Sequence, residues 1–210
     1  SPQVDNSVRD FQQEIKDILV AEGLTMNENP SKTKIIRLDC VNTPIQYDFE
    51  YLGYKFVSNI ETYIDDRGRE KQRQGSLLVS ISNRKKEKYS NRLLSAFEGY
   101  IYESKRNEKR ARKVFVKRLR LLMGNTRLVN NKRNVITGVY YSNSLATEVS
   151  DFEDLDSYFK KLIEDFDLPP ELESRILLKS FSFVHGFNPS SITKFSGREL
   201  GLIMKNWKYE

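Results

Sequence analysis

From Ser82 to Gly124 the chain repeats large apolar side chains every three or four residues, and much of what lies between them is Lys or Arg. Tyr89, Leu93, Leu94, Phe97, Tyr100 and Ile101 make one apolar stripe across residues 84–102, with Ser82-Asn83 as the N-cap. Val114, Phe115, Leu119 and Leu122 make a second across residues 107–123, closed by Gly124-Asn125. Two amphipathic helices in succession, each needing a partner for its apolar face, are therefore predicted at the centre of the fold.

Charge is concentrated around these helices. Residues 67–133 hold 21 Lys or Arg against five Glu, a local net of +16, so the remainder carries −10 in a chain whose net is +6. A solvated helix face is the ordinary fate of a charge run, but so large an excess of one sign points to a polyanionic partner. Arg84, Lys85, Lys86 and Lys88 cluster at the start of the first helix, where backbone N–H groups also favour phosphate. Arg106, Lys109, Arg110, Lys113 and Lys117 fall at helical spacing, on a stripe opposite much of the apolar face.

Before this region, Val8, Phe11, Ile15, Ile18 and Leu19 mark an amphipathic helix closed at Gly23, and residues 27–31 read as a turn. Residues 33–38 and 46–58 read as strands, the second long and aromatic, with Phe49 and Tyr51 on one face and Leu52, Tyr54 and Phe56 on the other. Residues 60–64 and 77–81 suggest strands flanking a hairpin whose tip is Asp65-Asp66-Arg67-Gly68 plus a polar extension. Residues 135–141 are either a short strand or an apolar segment. Helices follow over 151–166, over 171–181 behind Pro169-Pro170, and from the Ser196 cap to Trp207. The predicted class is α+β: a small antiparallel sheet with a helix (1–81), a basic helical part (82–125) and a C-terminal helical region (126–210).

Several chemistries are excluded or narrowed. Cys40 is the only cysteine and His185 the only histidine, so one chain forms neither an intrachain disulfide nor a Cys/His zinc site. A histidine-based triad has one possible base, and a His185 flanked by Phe183 and Phe187 reads as a packed or capped residue. No apolar run is long enough to cross a bilayer and no opening stretch reads as a signal peptide, so a cytoplasmic setting without a membrane partner is expected.

The order Leu24-Thr25-Met26-Asn27, then Lys32-Thr33, then Phe49-Glu50-Tyr51-Leu52-Gly53-Tyr54 resembles the end of the palm domain of reverse transcriptases, especially the bacterial group II intron, retron and phage-defence kinds. That resemblance covers about the first quarter of the chain. It implies that Lys32, with Lys34 as second candidate, lies near the incoming nucleotide's phosphates, where a protonated amine suits a leaving pyrophosphate. It also implies that Leu52, Gly53 and Tyr54 form the primer grip, Gly53 letting a sugar–phosphate backbone approach the strand. The basic helices then occupy the place of the thumb, which holds an RNA template and its DNA or RNA primer by phosphates. Residues 118–128 and 138–143 are similar to downstream regions of defence-associated members.

Tyr63-Ile64-Asp65-Asp66 spells that family's Tyr-x-Asp-Asp signature, where paired carboxylates hold two metal ions. In the family the signature precedes the lysine unit and the Leu-Gly-Tyr strand; here it follows both, so it reads as a hairpin tip. The resemblance then implies that the fingers, the rest of the palm and the Mg²⁺-binding aspartates of a full-length polymerase lie upstream of Ser1, with no metal site in this chain. Two rivals remain open from the residues alone: a non-enzymatic RNA-binding module using the basic helices, and a protein-interaction domain pairing acidic with basic halves.

Overall fold

A computed structural model describes residues 2–27, 29, 44, 46–128, 135–178 and 180–207. Lys32, Lys34, Cys40 and the strand expected over 33–38 lie outside the described residues. The fold is α+β, and the chain forms two compact units, residues 1–42 and 43–210.

The first unit contains α1 (Pro2–Ala21). It closes where the sequence places its end: the Gly23 N–H donates to the Val20 carbonyl at 3.0 Å and the Leu24 N–H to the Leu19 carbonyl at 2.8 Å, with Gly23 at φ +72°. These two bonds satisfy carbonyls that the helix end would leave open. The Asn27 side chain then accepts from the Asn29 N–H at 3.0 Å and turns the chain.

The second unit opens on an antiparallel sheet of β1 (Tyr47–Tyr51), β2 (Tyr54–Ile64) and β3 (Glu70–Ile81), in that order. Here the expected long strand over 46–58 is corrected. The chain reverses at Leu52-Gly53, where both residues take positive φ (49° and 80°), and Tyr51 pairs with Tyr54. Two left-handed residues between paired strands make the hairpin turn whose twist matches the sheet. The reversal puts Phe49 opposite Phe56, rings stacked at 4.9 Å, on one face rather than on opposite faces. Tyr54 and Val79 are buried with Ala146, and the free edge of β3 is covered where Thr147 bonds Val79 from both its backbone and its hydroxyl. Beyond an irregularity between Ser58 and Ile60, β2 and β3 continue as a mostly exposed two-stranded ribbon to the tip at Asp65.

Then comes α2 (Asn83–Leu122), interrupted at Asn107, whose φ −158° and ψ 92° are not helical. The Asn107 carboxamide accepts from the Arg110 N–H at 3.0 Å, as an N-cap does, so a new helix starts there. The two arms fold back on each other: Phe97 meets Phe115 edge-on at 4.9 Å, Tyr100 stacks on Phe115 at 5.2 Å, and Glu103 reaches Arg118 at 2.7 Å. In an uninterrupted helix Phe97 and Phe115 would stand roughly 27 Å apart. The pair of helices expected from the apolar spacing is therefore a helical hairpin.

Around this hairpin pack α3 (Ser150–Asp165), α4 (Pro170–Leu178), α5 (Phe183–Gly186), α6 (Gly197–Met204) and a 3-10 turn Lys205–Trp207. One core joins Leu93, Phe97, Phe115 and Leu119 to Phe152, Leu155, Phe159, Leu172, Phe183, Ile203 and Trp207. Residues on both sides of position 125 contribute to it. A second small sheet has β4 (Asn125–Arg127) between β5 (Ile136–Gly138), antiparallel, and β6 (Ile192–Lys194), parallel. Gly186 lies so close to the end of α2 that a Cβ would stand 1.9 Å from the Met123 carbonyl oxygen, so no other residue fits.

Asn125 holds this contact. Fully buried, it donates to the Gly186 and Asn188 carbonyls at 2.9 Å each and accepts from the Tyr140 N–H at 3.0 Å. Replacing it with Ala strips the Gly186 carbonyl and the Tyr140 N–H of this partner and is expected to lower stability by about 3 kcal/mol in urea unfolding, with Asn125→Asp intermediate.

Candidate nucleic-acid interface

The Leu52-Gly53 turn rests on the first turn of α2. The Ser82 N–H donates to the Gly53 carbonyl at 3.0 Å, and the Asn83 N–H donates to the Glu50 carboxylate at 2.9 Å. Ser82 caps the helix by accepting from the Lys85 N–H at 3.3 Å. A Cβ on Gly53 would lie 3.3 Å from Lys85 Cε, so glycine answers both the positive φ and the close approach. Leu52 does neither. It is 78% exposed and sits at φ 49°, a conformation that costs an ordinary L-residue about 1–2 kcal/mol. An apolar, strained residue pointing into solvent is a departure from what stability alone selects.

The expected contacts at this helix start divide. Lys85 Nζ donates to the Ser142 carbonyl at 3.0 Å and stands 4.6 Å from the centre of the Tyr54 ring, while the Tyr54 hydroxyl donates to the same carbonyl at 3.4 Å. Burial lowers the Lys85 pKa from its ordinary value. Lys86 is held by Asp151 at 2.9 Å and Asp154 at 2.5 Å on α3. Burial disfavours its charge, and these carboxylates outweigh that and raise its pKa. Lys85 and Lys86 thus each have an internal partner, which a phosphate would have to share or displace. At the helix N-terminus the Glu50 carboxylate already takes the Asn83 N–H. Arg84 and Lys88 are exposed and form no ion pair among the described residues.

On the second arm the expected stripe is broken by the turn at Asn107, which resets the helical phase. Arg106 ends one arm, its guanidinium 5.9 Å from the centre of the Tyr102 ring. Lys109, Arg110 and Lys113 start the other, all exposed and without an ion pair among the described residues. Lys117 has an internal partner. It is 2.6 Å from Glu199 on α6, and that contact, with the hydrogen bonds from Ser196, holds the Glu199 carboxyl down at about 2. Arg112 bridges Glu108 and Glu171, and Arg118 is buried against Glu103. The available cations therefore collect at the tip of the helical hairpin and at the start of α2.

Tyr63-Ile64-Asp65-Asp66 lies at the end of the β2–β3 ribbon. Asp65 accepts from the Arg67 and Arg69 N–H groups at 2.9 and 3.0 Å and forms ion pairs with Arg69 at 2.9 Å and Lys71 at 3.0 Å. The Arg69 backbone bond, then Lys71, hold its carboxyl at about 2. A carboxylate so engaged is a turn lock. Among the described residues no group of three or more His, Cys, Asp or Glu converges to hold a metal ion. A Mg²⁺ at Asp65-Asp66 would have to displace Arg69 and Lys71 from Asp65, so the residues present do not fit that ion as they stand.

Asp156, Ser182 and His185 line one cleft, yet they form a cap rather than a triad. Asp156 accepts from the Ser182 hydroxyl at 2.5 Å and from the Phe183 and Val184 N–H groups at 2.6 and 3.3 Å. The Ser182 oxygen accepts from the His185 backbone N–H at 3.1 Å, and the exposed imidazole is not its base. Tyr102 and Lys205 were not singled out by sequence; the Tyr102–Arg106 spacing of four residues on a helix was the available signal.

No protein family, curated protein or solved structure matches this chain.

Two outcomes are expected. Leu52→Asn relieves the left-handed strain and raises stability by about 1 kcal/mol, a rise in Tm of about 2–4 °C by calorimetry. The Asp65 lock has a carboxyl depressed below its ordinary 3.8, so it is complete above that pH and is lost as the pH falls through about 2. The Arg67 and Arg69 amide resonances should hold their positions down to pH 4 and move toward random-coil values near 2, and in Asp65→Asn they should be displaced already at pH 7.

Proposed function

We propose that this chain grips a primer–template duplex, an RNA template with its DNA or RNA primer, as the palm end and thumb of a bacterial reverse transcriptase acting in the cytoplasm, with a phage-defence system as its setting. In this reading Leu52-Gly53-Tyr54 is a turn set against the primer's 3′ end. Arg84, Lys88, Arg106, Lys109, Arg110 and Lys113 neutralise backbone phosphates, which fixes position without reading sequence. Lys32 serves the pyrophosphate side of the site. The metal-binding aspartates come from fingers and palm segments outside this chain, so the chain by itself grips and does not polymerise.

The observation that carries the reading is Leu52: an exposed apolar side chain held in a left-handed turn at the start of the Leu-Gly-Tyr match. Local stability favours Asn at that position, and a surface that meets a ribose and base favours an apolar contact. Support also comes from Arg84, Lys88, Lys109, Arg110 and Lys113 on α2, which form no ion pair among the described residues, whereas Lys86 and Lys117 do.

Fluorescence anisotropy with a labelled primer–template duplex tests it. Neutralising about five phosphates gives a slope of log affinity against log salt of roughly −4 to −5. Lys113→Ala should reduce that slope by about 1, whereas Lys86→Ala should leave the slope and lower stability. A flat salt dependence, or equal effects of the two substitutions on the slope, overturns the reading.

A further inference from the structure

A cleft of about 350 Å³ opens between the tip of the helical hairpin and the C-terminal end of α6. Its walls carry three cations, Arg106 and Arg110 on either side of the Asn107 turn and Lys205 from the 3-10 turn. None of the three forms an ion pair among the described residues. The carboxylate in the wall, Glu103, is held by Arg118 through bonds of 2.7 and 3.3 Å, so it does not offset them. The floor is apolar, from Val114 and Leu202, and the rim carries Tyr102, a ring 64% exposed with the Arg106 guanidinium 5.9 Å from its centre.

Three uncompensated cations around an apolar floor fit a ligand that is anionic at one end and flat and apolar at the other. The volume is within the range of small-ligand sites. An exposed aromatic ring beside an arginine is the platform on which an unstacked base rests, and it serves any base because each has a π-face. A base paired within a duplex offers only its edges, so it cannot lie on Tyr102. We infer that this cleft takes one unpaired nucleotide of a single-stranded overhang, its base on Tyr102 and its phosphate among Arg106, Arg110 and Lys205. The inference rests on the duplex-gripping function proposed above and adds to it a contact to the unpaired strand.

Anisotropy with the full chain separates the two. Three probes serve: a blunt duplex, the same duplex with an oligothymidylate overhang, and that overhang strand alone. The wild-type chain is expected to bind the overhang duplex about tenfold more tightly than the blunt one. Tyr102→Ala should abolish that difference while leaving blunt-duplex affinity unchanged, and Tyr102→Trp should preserve it. Tyr102 is exposed, so thermal melts of the variants should match wild type. Equal wild-type affinity for blunt and overhang duplexes overturns the inference and leaves the gripping function standing. So does Tyr102→Ala weakening both probes alike, or a poly-glutamate peptide displacing the overhang better than free oligothymidylate does. Failure to bind any of the three overturns both.

Discussion

The reversal of α2 at Asn107 is the constraint on which the second unit depends. Once the arms are antiparallel, Phe97 can meet Phe115 from its own hairpin and Phe159 and Phe166 from beyond it, at 4.9, 6.0 and 5.2 Å. Each fully buried side chain of this size contributes about 2–3 kcal/mol, and the buried Arg118, paired with the half-buried Glu103, fixes how the arms align. The same reversal returns the chain to β4, which lets Asn125 fasten the end of α2 to α5. It also leaves Arg106, Lys109 and Arg110 around one turn instead of spread along a helix.

The junction between the sheet and α2 shows two different uses of polar chemistry. Ser82, Glu50 and Lys85 satisfy backbone groups and hold the hairpin turn on the helix. Leu52, between them, satisfies nothing and adopts a conformation that disfavours it. Where every neighbour serves the fold and one residue works against it, that residue is where binding is to be sought.

Much of this architecture was legible in the sequence. The apolar spacing gave both arms of α2, and Ser82, Gly23 and Ser196 stand at helix ends as their chemistry requires. The Leu52-Gly53 reversal was not legible, because Leu is a poor residue for a left-handed turn and alternation continues across it. β6 and α5 were missed because segments of three or four residues carry no period. In the site, Arg84, Lys88 and Lys113 are exposed, as a run of charge suggests. The internal partners of Lys85, Lys86 and Lys117 were not legible, since Ser142, Asp151 and Glu199 lie 57, 65 and 82 residues away. Charge counting cannot see which lysines a distant carboxylate or carbonyl claims. Lys32 lies outside the described residues.

The central claim, that the Leu52 turn faces the end of a primer, is tested most directly by photocrosslinking. A benzophenone side chain at position 52, and a control at the exposed Met204 on α6, would be irradiated with a primer–template duplex labelled on either strand. The account predicts that position 52 labels the primer strand within its last few 3′ nucleotides and that position 204 does not. Labelling from position 52 spread evenly over both strands, or no stronger than from position 204, would contradict it.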